Sequence, residues 1–423
     1  MLWPAAWNRY PIVFADTGTY LSQAVHRYAG WDRPIFYSLF ILPLHGARSL
    51  WPIVVVQALL AVAVLRVACR TLLPGLTWPA FTTAVALLSA LTWLPFLTSE
   101  VMPDLFTPLL ILVTIILAWA PDEICGAERW ALIALAGFMT STQQSSIPLV
   151  LGLIVTLAPL AVWRRRLPAR AILPATIAPL LALAALCTAN FAAHHRLSPS
   201  PFGNVFYLAR LIADGPAAAE LRRDCPARDW RLCPYVDRLP ADSDEFLWAA
   251  DSPLVLAGGA KMVSADASEI IAAAVRNDPL GVAAAALDNT GRQLTRFASG
   301  DGLEPWTRQV TPWLARDFPM AEQARYTNAM QQRGLLILPP WLKAIHVTVG
   351  VLGIAACAVM LPGALHRRLL SAGFLLGVLL AVPMAAAITG ALSAPHDRYQ
   401  ARIMWLPPFI GGLCFAASRR RDA

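Results

Sequence analysis

The sequence predicts an all-α polytopic membrane protein. Of its 423 residues, 57% are hydrophobic and only 14% are charged, whereas soluble domains carry roughly 25% charged residues. Apolar stretches that are long enough, or nearly long enough, to cross a bilayer follow one another along the chain. The 34 prolines are typical of helices that bend or end at membrane depth, where neighbouring helices satisfy the freed backbone groups.

Hydropathy indicates about nine transmembrane helices, with one more missing at the N-terminus. The nine expected spans are Leu50–Ala68, Trp78–Leu97, Pro103–Trp119, Trp130–Phe138, Ile147–Trp163, Ala171–Ala189, Pro340–Leu361, Leu369–Ile388 and Ile403–Ala417. The stretch Pro34–Leu44 is too short to cross, so we expect it to lie at the surface or to re-enter. The polar run Thr140–Ser146 follows the weak fourth span and predicts a turn between two half-length helices.

Basic residues beside the spans orient the bundle. They occur as Arg66 with Arg70, Arg164–Arg166, His366–Arg368 and Arg419–Arg421, and all fall on one side when nine spans alternate. The positive-inside rule makes that side cytoplasmic, so we expect a multi-pass inner-membrane protein with a cytoplasmic C-terminus. The net charge of +8 is spread over these short runs, which argues for a bilayer partner and against nucleic acid.

Three domains are expected from this pattern. Residues 1–189 form an N-terminal membrane domain with an external first loop, residues 190–339 a mainly helical extracytoplasmic domain, and residues 340–423 the C-terminal membrane helices. Cys225 and Cys233 are the only cysteine pair in a polar region. In an oxidising compartment they could form a disulfide, or they could remain two free thiols.

Four polar groups fall on the predicted external side. They are Asp16–Tyr20 with Asp32–Pro34, Ser99–Glu100 with Asp104, Gln143–Gln144, and His396–Tyr399 with Arg402. A carboxylate at the water interface can act as a general base or hold a divalent cation. An arginine fork matches phosphate oxygens. The group therefore suits a reaction on a lipid-linked phosphate, with Asp16 as base and Arg398, helped by Arg402 or His396, on the leaving phosphate.

Four segments carry a family resemblance: Asp16 with Tyr20, "RPIFYSLF", "SEVMPDLF" and "HDRYQARIMWLPP". Together they resemble GT-C-type membrane glycosyltransferases, a superfamily that includes protein O-mannosyltransferases and the aminoarabinose transferases of lipid A. The resemblance implies transfer of a sugar from a polyprenyl-phosphate donor to a glycan, lipid or protein. It implies catalytic roles for Asp16 and Glu100, and we expect Tyr20, Asp104, Arg398 and Tyr399 to contact the substrates. The family has a transmembrane helix before its first acid, and no apolar stretch of that length precedes Asp16 in this sequence.

Other interpretations stay open at this stage. A polysaccharide polymerase or ligase also combines many helices with a large external region and relies on external arginines. A transporter-like protein without chemistry would carry charges inside its helices and pseudo-symmetric halves, neither of which is evident. Taken singly, Gln143–Gln144 could be a turn, Tyr20 part of an interfacial aromatic belt, and Asp301 and Glu304 loop charges.

Overall fold

The computed structural model describes Met1–Asp422, with side chains through Arg419. The side chains of Arg420 and Arg421, on which part of the predicted orientation depends, lie outside the described part. Within it the protein is all-helical, without strands, and one isolated parallel bridge joins Ile12 and Glu100. The chain forms two compact units.

The first unit comprises Met1–Leu186, Phe297–Met384 and the residues from Asp397 onward. Its N-terminal helices are α1 (Trp3–Asn8), α2 (Thr17–Val25), α3 (Phe36–His45), α4 (Trp51–Leu72), α5 (Trp78–Leu91), α6 (Leu94–Ser99), α7 (Phe106–Trp119), α8 (Gly126–Thr142), α9 (Ser146–Arg165) and α10 (Leu173–His194). Only the first part of α10 belongs to this unit.

The second unit comprises Cys187–Arg296 and Ala385–His396. Its helices are α11 (Gly203–Asp214), α12 (Pro216–Asp224), α13 (Ser243–Trp248), α14 (Pro253–Leu256), α15 (Ala260–Asn277) and α16 (Pro279–Thr295). A disulfide joins Cys225 and Cys233, which decides between the two alternatives left open by the sequence. It closes the segment that follows α12.

The remaining helices return mostly to the first unit. They are α17 (Thr307–Asp317), α18 (Met320–Thr327), α19 (Pro340–His366), α20 (Ser371–Leu392), α21 (Asp397–Ala401) and α22 (Leu406–Asp422). Residues 297–339, which the sequence analysis assigned to an extracytoplasmic domain, are thus part of the first unit. The three-domain division stays a prediction, and the two compact units divide the chain at different residues.

Helix α7 forms the core of the first unit. Every residue from Phe106 to Trp119 is buried, as expected for a helix that is apolar on all faces. Two glycines of α20 allow close packing against it, because a Cβ on Gly373 or Gly377 would clash with Trp119 or Ile115. The residues at the two ends of α7 are consequently held in place by a fully buried helix.

Six helical segments of the described chain are long and apolar enough to cross a membrane: Trp51–Leu72, Ser146–Arg165, Ala169–His194, Pro340–His366, Ser371–Leu392 and Asp397–Arg419. The bent pair α15–α16, with an angle of 101°, would make a seventh. Several apolar helices therefore indicate a membrane protein, whereas the count of nine is not confirmed. The predicted second and third spans correspond to the shorter helices α5 and α7.

The polar run Thr140–Ser146 differs from its prediction. Most of it is helical, since α8 extends to Thr142 and only residues 143–145 separate it from α9. Thr140, Ser141 and Thr142 donate their hydroxyls to carbonyl oxygens three or four residues earlier in α8, at 2.7–2.8 Å. Their polar groups are satisfied inside the helix, so α8 and α9 have 17 and 20 residues rather than half a span each.

Candidate active site

A short backbone pairing holds the first acidic loop beside the second. The N–H of Ile12 donates to the carbonyl of Ser99 at 2.9 Å, and the N–H of Val101 donates to the carbonyl of Ile12 at 2.8 Å. The buried amide of Gln331 adds two bonds to the backbone of Val13, at 3.1 and 2.7 Å. The segment before α2 is therefore fixed next to the segment before α7.

Asp16 precedes α2 and forms a two-pronged ion pair with Arg33. The Nε and Nη2 atoms of Arg33 donate to the two carboxylate oxygens, each at 2.9 Å, and the side chains are 15% and 21% exposed. This planar pairing fixes the orientation of the carboxylate. Each carboxylate oxygen retains a second lone pair, so Asp16 can still accept a hydrogen bond from an incoming hydroxyl.

Tyr20 lies one turn into α2 and is buried. Its ring packs edge-on against Tyr37, with ring centroids 4.9 Å apart. The hydroxyl of Tyr37 donates to Gln57 at 2.6 Å, and the Gln57 amide donates to the carbonyl of Glu100 at 2.8 Å. Tyr20 thus packs against the side chains that hold the backbone of Glu100. A direct contact between Tyr20 and a substrate stays a prediction.

Asp104 forms the most deeply buried ion pair in this region, with Arg402. The Nη1 atom of Arg402 lies 2.9 Å from Oδ1 of Asp104, and the two residues are only 3% and 4% exposed. The amide oxygen of Gln143 accepts from Arg402 at 3.1 Å and from the hydroxyl of Thr107 at 2.7 Å. Taken alone, the sequence favours a turn at Gln143. Its side chain also links Thr107, at the start of α7, to Arg402.

Arg398 is held more loosely than Arg402. Its Nη2 atom is 3.5 Å from Asp104, and its guanidinium lies over the ring of Phe14, 3.8 Å from the centroid. Its backbone N–H donates to Asp301 at 3.0 Å. The ring of Tyr399 lies within cation–π distance of the guanidinium of Arg398, at 5.3 Å. The edge of this guanidinium can thus turn toward a phosphate without breaking a close ion pair.

Glu100 is half-buried, and no residue of the described chain hydrogen-bonds or ion-pairs its carboxylate. Burial, reinforced by the negative charge of Asp104, raises the pKa of Glu100 to about 8, and the charge of Arg398 opposes this shift. A Cβ on Gly302 would lie 3.9 Å from its Oε1 atom and 2.7 Å from the ring of Phe14. Gly302, with φ +88°, thus permits the close packing around Glu100.

His396 belongs to the second unit. Its Nε2 atom lies 3.0 Å from a carboxylate oxygen of Asp244. Its backbone N–H and carbonyl both bond the side-chain amide of Gln293, at 3.0 and 2.8 Å. These partners all lie in the second unit, so the substrate contact predicted for His396 remains a prediction.

Six predicted site residues therefore lie in one contact network of the first unit: Asp16, Glu100, Asp104, Arg398, Tyr399 and Arg402. Sequence reasoning missed Phe14, which lies under Arg398, and it read Asp301 as a loop charge. It noted Arg33 but not its pairing with Asp16. The "FAD" and "DRP" segments gave a weak indication of this pair, because an acid and an arginine in neighbouring polar segments can form an ion pair.

The network combines three carboxylates with three arginines, and all six side chains are buried or partly buried. Asp16 offers an oriented acceptor for a hydroxyl proton, Arg398 offers donors for an anion, and Glu100 is an acid whose charge changes near neutral pH. Such an arrangement can hold a phosphate and a hydroxyl group close together. Among the described residues, no group of three or more His, Cys, Asp or Glu side chains is arranged to bind a metal ion.

The chain was also compared with known proteins. A scan against protein-family models, a search of curated proteins and a search of solved structures each found no match.

Proposed function

We propose that this protein is a membrane glycosyltransferase that moves a sugar from a polyprenyl-phosphate-linked donor to a hydroxyl of a glycan, lipid or protein. The proposal also includes the inner membrane and its external face as the place of reaction. The observation that carries it is the pairing of Asp16 with Arg33 and of Asp104 with Arg398 and Arg402, beside the half-buried Glu100 and near the start of α7. The resemblance of the surrounding motifs to GT-C-type enzymes supports the choice of reaction.

In the donor half of the reaction, Arg398 binds the leaving phosphate. The bond between the anomeric carbon and the phosphate oxygen breaks with its electron pair remaining on the phosphate, so negative charge grows on the leaving group. An arginine stabilises that charge with parallel N–H donors. Arg398 is suited to this role because its ion-pair contact with Asp104 is 3.5 Å long, whereas Arg402 is bound at shorter distances to Asp104 and Gln143.

The acceptor half falls to Asp16. As the acceptor oxygen bonds to the anomeric carbon, its proton passes to a carboxylate oxygen of Asp16 through the lone pair that Arg33 leaves open. Arg33 orients the carboxylate and is a positioning residue. Glu100 lies on the same side of the network, where in its protonated form it can donate a hydrogen bond to a donor or acceptor oxygen.

The test compares the unaltered protein with Asp16→Asn and with Asp288→Asn, a control at a carboxylate that is 72% exposed. Each is expressed in a strain that lacks the gene, and the masses of extracted lipids and surface glycans are measured. We expect the unaltered protein and the control to restore a sugar-sized mass difference that Asp16→Asn does not restore. Membrane abundance of all three proteins is measured in parallel, because Asp16→Asn leaves Arg33 without its ion pair.

Restoration by Asp16→Asn to the level of the unaltered protein would remove Asp16 as the base. If Arg398→Gln alone abolished the mass difference, a polysaccharide polymerase or ligase that relies on external arginines would be favoured. If the unaltered protein restored no mass difference although it was present in the membrane, the proposal of sugar transfer would be wrong.

A further inference from the structure

A second feature of the first unit lies at the far end of α7 from Asp104. It is a cleft of about 560 Å³ where α7 has ended, α8 begins and α10 begins. Its walls are mainly apolar and include Trp130, Ile133, Leu173 and Ile177. We propose that this cleft binds one anionic phospholipid, whose phosphate lies between Arg129 and Arg170 and whose acyl chains lie along α8 and α10.

The shape of the cleft follows from the packing of two helices. A Cβ on Gly137 would lie 3.4 Å from the carbonyl oxygen of Ala178, so α8 and α10 approach closely there. Toward their N-termini the helices separate and leave Trp130 and Leu173 exposed, by 64% and 58%. A cleft between apolar helices that widens toward a helix end suits acyl chains, which enter from the side.

The charges at the cleft leave a positive excess. Arg170 is exposed and has no hydrogen bond or ion pair within the described residues. Arg129 donates to the carbonyl of Pro121 at 2.7 Å, and its buried Nε atom has no partner in the part of the chain that the structure describes. The one acid that lines the cleft, Asp122, is already bound by both Nη atoms of Arg165, at 2.7 and 2.9 Å. Arg165 also pairs with Glu123, at 3.3 Å. Arg129 and Arg170, which have no acidic partner among the described residues, still leave a positive excess at the cleft.

The apolar surroundings of these charges favour a lipid over a free anion. Basic pockets between transmembrane helices are known to hold anionic headgroups, and the exposed Trp130 is typical of a membrane–water interface. A soluble phosphate would gain nothing from the apolar walls. The inference is independent of the proposed sugar transfer, because the cleft and the candidate active site lie at opposite ends of α7.

The test measures lipid binding to the purified full-length protein in detergent by native mass spectrometry. Phosphatidylglycerol, which is anionic, is compared with phosphatidylcholine of the same acyl chains, and glycerol 3-phosphate serves as the headgroup without chains. The variants are Arg170→Gln and, as matched control, Arg166→Gln, an exposed arginine of the same loop that does not line the cleft. Leu173→Ser tests the apolar wall at a largely exposed position.

We expect the unaltered protein to prefer phosphatidylglycerol, and Arg170→Gln to weaken that binding about fivefold, as expected for one basic residue at an anionic headgroup. Arg166→Gln should leave phosphatidylglycerol binding unchanged, and Leu173→Ser should weaken the binding of both lipids. Equal binding of the two lipids by the unaltered protein, or equal losses in Arg170→Gln and Arg166→Gln, would overturn the proposal. Displacement of phosphatidylglycerol by glycerol 3-phosphate would also overturn it, because the ligand would then be a free phosphate.

Discussion

Breaking the buried pair of Asp104 and Arg402 should strongly destabilise the first unit. At their separation of 2.9 Å, an effective dielectric constant of about 20 gives an attraction of about 6 kcal/mol. Much of this offsets the cost of removing both charges from water. Removing one charge leaves the other uncompensated, so Asp104→Asn should lower the free energy of unfolding by about 3–5 kcal/mol.

The two single variants should differ. Asp104→Asn leaves both Arg402 and Arg398 without their acid, whereas Arg402→Met leaves Asp104 beside Arg398 at 3.5 Å. We therefore expect Arg402→Met to cost less than Asp104→Asn. The double variant should cost less than the sum of the two, with a coupling of roughly 0.5–3 kcal/mol.

The assay is unfolding of the purified protein in mixed detergent micelles, followed by far-UV circular dichroism. Arg70→Met provides the control, because Arg70 pairs with Glu128 but is 51% exposed, and such pairs contribute about 0–1 kcal/mol. Strictly additive single costs, or a cost for Arg70→Met as large as that for Asp104→Asn, would refute the assignment of the stabilisation to burial of this pair.

Three further predictions concern other parts of the chain. As the pH rises from 5 to 8, the free energy of unfolding should fall by up to about 1.4 kcal/mol per pH unit. The raised pKa of Glu100 means that the folded state holds a proton that the unfolded state has lost. Glu100→Gln should flatten this dependence in unfolding curves measured across the pH range. Arg398→Lys should lower kcat/KM for a lipid-phosphate sugar about tenfold or more, mainly through kcat, since one fork-shaped contact to the charge that grows on the leaving phosphate is lost, and unchanged steady-state kinetics would contradict that role. Replacing Cys225 and Cys233 by serine should lower stability by about 2.5 kcal/mol in the chain-entropy model, and an equal response to reductant in the variant and the unaltered protein would show that the bond contributes nothing.

The helical fold class and most members of the polar network could be predicted from the sequence. Apolar stretches and short segments that contain acids and arginines are recognisable without knowledge of the tertiary structure. The interruption of the predicted second span is less visible. Its apolar residues continue from Trp78 to Leu97, but Thr92 adopts an extended conformation and a new helix, α6, begins at Leu94. Hydropathy averages over such a break, so the sequence alone does not distinguish one long span from two shorter helices.

Contacts between distant segments could not be read from the sequence. Asp301 lies in a stretch with loop composition, yet it accepts the backbone N–H of Arg398, 97 positions away. Gln331 likewise bonds the backbone of Val13, 318 positions away. Each is an ordinary polar residue in its own window, and only the tertiary packing of the first unit reveals its partner.

The shortness of α7 has a consequence for the depth at which the chemistry would occur. Its 14 residues give a length of about 21 Å, whereas the hydrocarbon layer is about 30 Å thick. An α7 that crosses the bilayer would therefore have at least one end beneath the lipid–water boundary. Water and headgroups would reach that end through the protein, so a lipid-borne substrate could enter sideways while its acyl chains stayed in the bilayer.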